Sequence, residues 1–329
     1  MAANDREWIR RTLQYVFACS AAFCSLSSLA ATYPEKTIRL VVGTPPGDSP
    51  DTSARLFAAA LSSQMGQTVL VDNRPGASHT IAFNLVAKSQ PDGYTVGWGT
   101  FLLATSPLLV QNLPYDPVKD LQMIMQAVYT PNLLAVTPSL PVKSVSELIA
   151  HAKQNPGRLS FASAGNASSL HLGMELFKLM TGTHMMHVPY KGSQLAIADV
   201  ISGQVQVICD NIASVVPHVQ ANRLRGLGVS TEKPSGALPG IPTIGETVKG
   251  YDVVLWYGVF GPKGLPKDIV DLWNKGIAQA LQAKELQDRM AAEGLEPAGG
   301  PPEQFRAVIK RDVEKWKRVV KEAKITLQS

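Results

Sequence analysis

The sequence has 329 residues, 45% hydrophobic and 17% charged, with a formal net charge of +5. That length allows about two domains and a core that stands without disulfide or metal staples. The charges are scattered, with no basic block and no interleaved aromatic stripe; this argues against nucleic-acid binding, while mild basicity favours an anionic small molecule.

The first predicted element is an export signal. Arg6, Arg10 and Arg11 precede the apolar, small-residue stretch TLQYVFACSAAFCSLSSLAA, and Ser28-Leu29-Ala30 followed by Ala31 fits a small-x-small cleavage site. Residues 1–31 therefore read as a secretory signal peptide; the alternative is an uncleaved anchor, which needs roughly 20 apolar residues. Arg10-Arg11 is followed by residues that fit a twin-arginine signal poorly. Phe17 and Phe23, just before Cys19 and Cys24, argue against lipoprotein processing. No later stretch is long and apolar enough to span a bilayer, so the mature chain is expected to be soluble in a bacterial periplasm. Cleavage removes three arginines, one aspartate and one glutamate, leaving a net charge of about +4. It also leaves Cys209 as the single cysteine, which forms no internal disulfide or Cys-x-x-Cys motif and reads as a small buried hydrophobe.

Further along, TIRLVVGT (37–44) is a β-branched apolar run ended by proline and glycine, hence a buried strand. DTSARLFAAALSSQMG follows with helical spacing and stops at Gly66. TVLVDNRPG, HTIAFNLVAKSQPDG and YTVGWGT continue as strand, helix and strand. After a proline-dotted break over 100–140, the alternation resumes from SVSELIAHAKQNPG and RLSFASAG through VQVICDN to RLRGLGVS. This rhythm predicts α/β domains with mainly parallel sheets. The break and a second proline-rich stretch, 232–247, read as two crossings between domains. They divide the chain into a discontinuous domain, 32–131 plus 253–329, and an inserted domain, 132–252, with a ligand cleft between them. The last helix, from Pro302, repeats Phe305, Val308, Ile309, Val313, Trp316 and Val320 at helical spacing, which is a packing face.

From about Tyr33 onward the chain resembles the substrate-binding receptors of tripartite tricarboxylate transporters, the Bug receptors. The resemblance rests on the order and spacing of YPEKTIRLVV, PPGDSPD, NRPGA, QPDGYT, LPYDPVKDL, SVSELIAHAKQNPGRLSFASAG, SLHLGMELFKLMTG, HVPYKG, GQVQVICDN and PHVQANRLRGLGV. It implies a two-lobed periplasmic binding protein fold closing on a small organic carboxylate. It implies membrane transporter subunits, or a sensor kinase, as partners; the chain is expected to be a monomer without cofactor or metal.

Two proline–glycine corners are the main site candidates. Pro45, Pro46 and Gly47 stiffen the first loop, and Asp48, Ser49 and Asp51 can cap the helix behind it. Free N–H groups at a helix start suit a carboxylate; otherwise this is a plain strand-to-helix turn. The family pattern is PPGG-x-x-D, so Asp48 replaces a glycine and is expected to point away from an anion or to cap. In the second corner, Gly76, Ala77, Ser78 and His79 stand where the family has GAGG. Ser78 adds a hydroxyl and His79 an imidazole N–H, or a charge if protonated; the other reading of His79 is a surface cap.

The inserted domain offers FASAGNASSLHLG. Ser163, Gly165 and Ser168 match the family's S-x-G-x-G-S, with Ala167 replacing the second glycine. Ser168 is placed as an N-cap, and His171 as packing one turn into the helix. Tyr190 offers a wall with a phenolic donor, Lys191 a distant attraction or an exposed charge. Asp210 either receives a ligand ammonium or hydroxyl or caps the next helix. Phe101 and Trp256 are further aromatic wall candidates without a placed position.

An enzyme is the weaker reading. The sequence lacks G-x-S-x-G, H-E-x-x-H and Walker patterns. Ser230-x-x-Lys233 lies where a strand runs into the proline-rich return rather than at a helix start. His184 and His187 have no cysteine or acidic partner nearby to complete a zinc site.

Overall fold

The structure is a computed structural model that describes residues 33–325 apart from Ala167 and Ala237. The expected signal peptide, with Cys19 and Cys24, lies outside the described residues. Among the described residues, no helix is long and apolar enough to cross a membrane.

The first strand, β1 (Ile38–Val42), is buried on both faces, as an apolar run in a covered parallel sheet must be. Helix α1 (Ser49–Met65) follows, with proline in its first turn and Gly66 ending it at φ 66°. Strand β2 (Val69–Asn73), a short 3₁₀ turn (Ala77–His79), α2 (Thr80–Ala87) and β3 (Thr95–Thr100) complete a unit in which β1 pairs in parallel with both β2 and β3. After α3 (Leu102–Leu109) comes the long strand β4 (Leu121–Val136). The chain goes on through α4 (Val145–Gln154), β5 (Ser160–Ser163), α5 (Ser169–Thr181), β6 (Met186–Pro189), α6 (Ser193–Ser202) and β7 (Val207–Asn211). Here β5 pairs in parallel with β6 and β7, the same 2-1-3 order as in the first unit. Then follow α7 (Ile212–Gln220), β8 (Arg225–Val229), α8 (Ile244–Thr247), β9 (Val254–Pro262), α9 (Lys267–Ala280), α10 (Lys284–Ala292), β10 (Glu296–Pro297) and α11 (Pro302–Glu322).

Strand β4 joins the two units. Its first part pairs antiparallel with β9 from Leu121 to Pro131, and its last part pairs antiparallel with β7 and β8 from Asn132 onward. The prolines of 100–140 read as a break in the strand–helix rhythm, yet residues Leu121–Val136 of that segment form this strand. Pro131 is tolerated in it because it stands where β4 exchanges one set of ladder partners for another, so its missing N–H interrupts no continuous ladder.

Helix α11 packs as its periodicity predicts. Phe305 and Ile309 join the core around Val41, Phe83, Trp256 and Phe260. Trp316 and Val319 join the core around Phe161, Leu172 and Cys209. Fully burying side chains of this size contributes about 1.5–3 kcal/mol each, so one helix ties both units together. Phe101 and Trp256 are core residues rather than walls: Phe101 packs edge-on against Trp316, and Trp256 Nε1 donates to Asp312 Oδ2 at 2.8 Å. Cys209 is buried as expected, and burial pushes its thiol up to about 12. Ser230 is also internal: its hydroxyl donates to Val253 O and accepts from the Asn132 N–H.

Candidate functional site

In a parallel unit of 2-1-3 order the switch point lies at the carboxyl ends of the strands, where sheets of this kind open their ligand crevices. In the first unit it lies at the ends of β1 and β3. The β1 loop turns at Gly47, with φ 91°, and its stiffness comes from Asp51. That carboxylate, 1% exposed, accepts from Gly47 N–H at 2.8 Å, Arg55 Nε at 2.9 Å and Asn73 Nδ2 at 2.8 Å. Burial raises its pKa, but Arg55, Gly47 and Asn73 outweigh this and hold it below the ordinary carboxylate value. Asn73 Nδ2 also donates to Thr44 O at 2.9 Å, so strand β2 braces the loop.

Asp48 occupies the N-cap position of α1, and of the two roles expected of it capping is not the one it plays: its exposed side chain makes no cap hydrogen bond. Ser49 is exposed, and its hydroxyl lies 3.3 Å from the Tyr257 hydroxyl. Pro46 is exposed beside them. The N-terminus of α1 thus has its dipole end free of a capping side chain.

The second corner brings Gly76, at φ 124°, against the 3₁₀ turn. Ala77, Ser78 and His79 follow with φ values of 46°, 50° and 68°, three consecutive non-glycine residues in the left-handed region. Each such residue costs roughly 1–2 kcal/mol that glycine would not. Neither the 3₁₀ turn nor α2 has a side-chain N-cap bond. His79 is not the surface cap: its Nδ1 sits 3.2 Å from Thr100 Oγ1, and its ring meets Phe83 edge-on at 5.6 Å. Burial pushes its pKa down to about 4, so at neutral pH it offers a neutral imidazole and not the charge considered from the sequence.

In the second unit, Ser163, Gly165 and Ser168 form one turn. Ser163 Oγ contacts Gly165 N and O at 3.2 and 3.0 Å, and Ser168 Oγ donates to Gly165 O at 2.8 Å. Ser168 is the N-cap of α5 as expected, accepting from His171 N–H at 3.2 Å. His171 is buried and stacks on His187 with ring centres 3.8 Å apart. Tyr190 donates its hydroxyl to Asp199 Oδ2 at 2.6 Å, so its ring and not its donor remains for a ligand. Lys191 is exposed. Asp210 is 1% exposed, accepts from Asn211 N–H at 2.6 Å, and is pushed up by burial. The cap of α7 is Asn211, accepting from Ala213 N–H at 2.9 Å, and not Asp210.

Pro46 to Asp51 and Gly76 to His79 follow the carboxyl ends of β1 and β2, and Ser163, Gly165, Ser168, Tyr190 and Asp210 lie at or just beyond those of β5, β6 and β7. Tyr257 was missed. It lies in the apolar run VLWYGVFGP, where nothing in the spacing separates it from its core neighbours, yet it pairs with Thr100 and reaches Ser49. Among the described residues, no cluster of His, Cys, Asp and Glu is arranged to hold a metal ion.

Two α/β units with matching switch points, strung on one shared strand, define the class of the periplasmic solute-binding proteins. Residues 53–325 match the tripartite tricarboxylate transporter family receptor, and the chain belongs to that family. It is similar to R. palustris Rpa4515, solved with adipate, at 38% identity and TM-score 0.74, over 89% of this chain and 99% of that one. It is similar to the periplasmic binding protein BugD at 31% identity and TM-score 0.71, over 90% and 100%. It is similar to MatC from Rhodopseudomonas palustris, solved with bound malate, at 26% identity and TM-score 0.70, over 88% and 100%.

Proposed function

We propose that this receptor works in the periplasm as a monomer, captures a small organic carboxylate, and presents it to the membrane subunits of a tripartite tricarboxylate-type transporter. In this reading residues 32–131 with 253–329 form one lobe and 132–252 the other. One carboxylate is held at the first crevice, within the loop Pro46–Asp51, by the main-chain N–H groups of Ser49 and Asp51 together with those of Gly76–His79, while Asp51 holds the Gly47 N–H and braces the loop. The far end of the ligand meets Ser163, Gly165, Ser168, the Tyr190 ring and Asp210. The observation that carries the reading is the pair of helix starts, α1 and α2, left without side-chain caps at the ends of β1 and β2. The adipate and malate bound by similar proteins support a carboxylate as the ligand class.

The spacing supports it too. Tyr257 pairs with Val128 and Asp210 with Leu133, so the crevices flank points five residues apart on β4. That is about 17 Å of extended strand, room for a short diacid and its hydrogen-bonding shell. The energetics suffice without an arginine on the ligand. Micromolar binding needs about 8 kcal/mol, within reach of a few charge-assisted hydrogen bonds at about 1.5–3 kcal/mol each plus helix-end contributions of about 0.3–2 kcal/mol.

A thermal-shift screen of the mature protein against small carboxylates tests this. At least one carboxylate raises the melting temperature and its neutral amide does not; equal stabilisation by the amide would contradict the proposed recognition.

A further inference from the structure

The two units brace their first loops from the neighbouring strand with different chemistry. In the first, Asn73 at the end of β2 donates to Thr44 O at 2.9 Å and Asp51 Oδ1 at 2.8 Å. In the second, β6 occupies the place of β2 and supplies His187, whose Nε2 lies 2.7 Å from Ser163 Oγ at the end of β5. Ser163 is 0% exposed, and its hydroxyl has three neighbours: His187 Nε2, Gly165 N–H at 3.2 Å and Gly165 O at 3.0 Å. A hydroxyl has one proton and two lone pairs. One arrangement satisfies all three contacts: His187 Nε2–H and Gly165 N–H donate to Oγ, and Ser163 O–H donates to Gly165 O.

The imidazole is held firmly for this role. It stacks on His171 at 3.8 Å and 7° between planes, and on Phe161 at 4.9 Å and 21°. The charged and titratable groups facing it are His171, Glu175 and Lys178, all from α5; Glu175 Oε1 lies 3.6 Å from His171 Nε2 and 2.7 Å from Lys178 Nζ. Burial first, then His171 and Lys178, push His187 down to about 4, with Glu175 opposing. It is therefore neutral near pH 7.

We infer that His187 is a positioning residue: its Nε2–H orients the Ser163 hydroxyl, and Ser163 in turn fixes the Gly165 turn at the entrance to α5. Its effect on ligand affinity rests on the receptor reading above; its effect on the turn does not.

Hydrogen exchange of the Gly165 amide in the ligand-free mature protein tests the inference. His187→Phe keeps a stacking ring and removes the donor; it should speed Gly165 exchange at least tenfold. Ser163→Ala should do the same, and the double variant no more than either single. His187→Gln restores an N–H donor and should recover part of the protection even if the ring stack is lost. Exchange within twofold of wild type in His187→Phe, or additive effects in the double variant, would overturn the inference. With adipate as probe, His187→Phe should bind about tenfold more weakly. Unchanged adipate affinity in that variant would overturn the link from turn to ligand. If the wild type binds no carboxylate, the receptor reading fails while the exchange data still decide the role of His187.

Discussion

His79 lies directly over Gly43: a Cβ added at Gly43 would stand 2.6 Å from both Cβ and Cγ of His79. Glycine ends β1 because the imidazole from the second corner occupies the space a side chain would need. Gly43→Ala should therefore destabilise the protein by about 1–3 kcal/mol through overpacking. His79→Gly in the same chain should recover most of that loss, because it removes the clash and suits the left-handed backbone. A double-mutant cycle by urea denaturation checks this, with a non-additive result expected.

The three left-handed residues make a second prediction. Ser78→Gly should stabilise by about 0.5–1 kcal/mol, since relief of roughly 1–2 kcal/mol of backbone strain exceeds the entropy glycine adds to the unfolded chain. The shift in urea midpoint measures it, and a fall in stability would show that the Ser78 side chain makes a compensating contact.

The order of strands and helices was legible in the sequence because alternation and glycine stops are local signals: Gly66 and Gly182 end α1 and α5 in the left-handed region. The mainly parallel sheets that this rhythm predicts do not form, because β4 and β9 pair antiparallel with every neighbour they have. The corners were legible as corners. What each side chain does there was not, because it depends on residues far away in the chain. Asp51 looks like a helix cap until Asn73 and Arg55 are brought to it. Tyr190 looks like a donor for a ligand until Asp199 is found accepting its hydroxyl hydrogen bond. The strand inside the proline-dotted 100–140 segment was hidden for the same reason: only the change of ladder partners shows why Pro131 fits in a strand.

Asp51 and the two low-pKa histidines give stability a distinct acid limb. His79 and His187 each stand at about 4 against 6.5 when unfolded. Between those values the unfolded chain binds more protons, so stability rises with pH from about 4 to 6.5 and is level above it. Each histidine contributes roughly 1–2 kcal/mol after allowing for solvent on the partly exposed ring. Asp51 has its pKa depressed below 3.8, so its contribution is complete above that value and is lost as pH falls further, through the folded value. Asp51→Asn should cost about 2–3 kcal/mol at pH 7 by leaving Arg55 without its charged partner, and less once the pH has fallen through the lowered folded value of Asp51. Because His79 stays neutral, carboxylate affinity should be flat from pH 7.5 to 6. A rise over that interval would mean that a protonated imidazole takes part.

Tyr257 is the best single probe of whether the first crevice is where an anion binds. Its ring is buried beside Trp98 with centroids 6.4 Å apart, so Tyr257→Phe keeps the packing. The hydroxyl it loses lies 3.3 Å from Ser49 Oγ at the start of α1, where its partners are that side chain and whatever occupies the helix end. Burial raises its pKa, so it is a neutral donor throughout the physiological range. Loss of one such donor to a charged oxygen should weaken binding roughly tenfold, corresponding to about 1.5 kcal/mol, with a change in melting temperature of a few degrees at most. Isothermal titration with the carboxylate found by thermal shift measures the first effect and calorimetry the second. Unaltered affinity in a fully folded variant would move the carboxylate away from the α1 terminus and leave the first corner a structural turn.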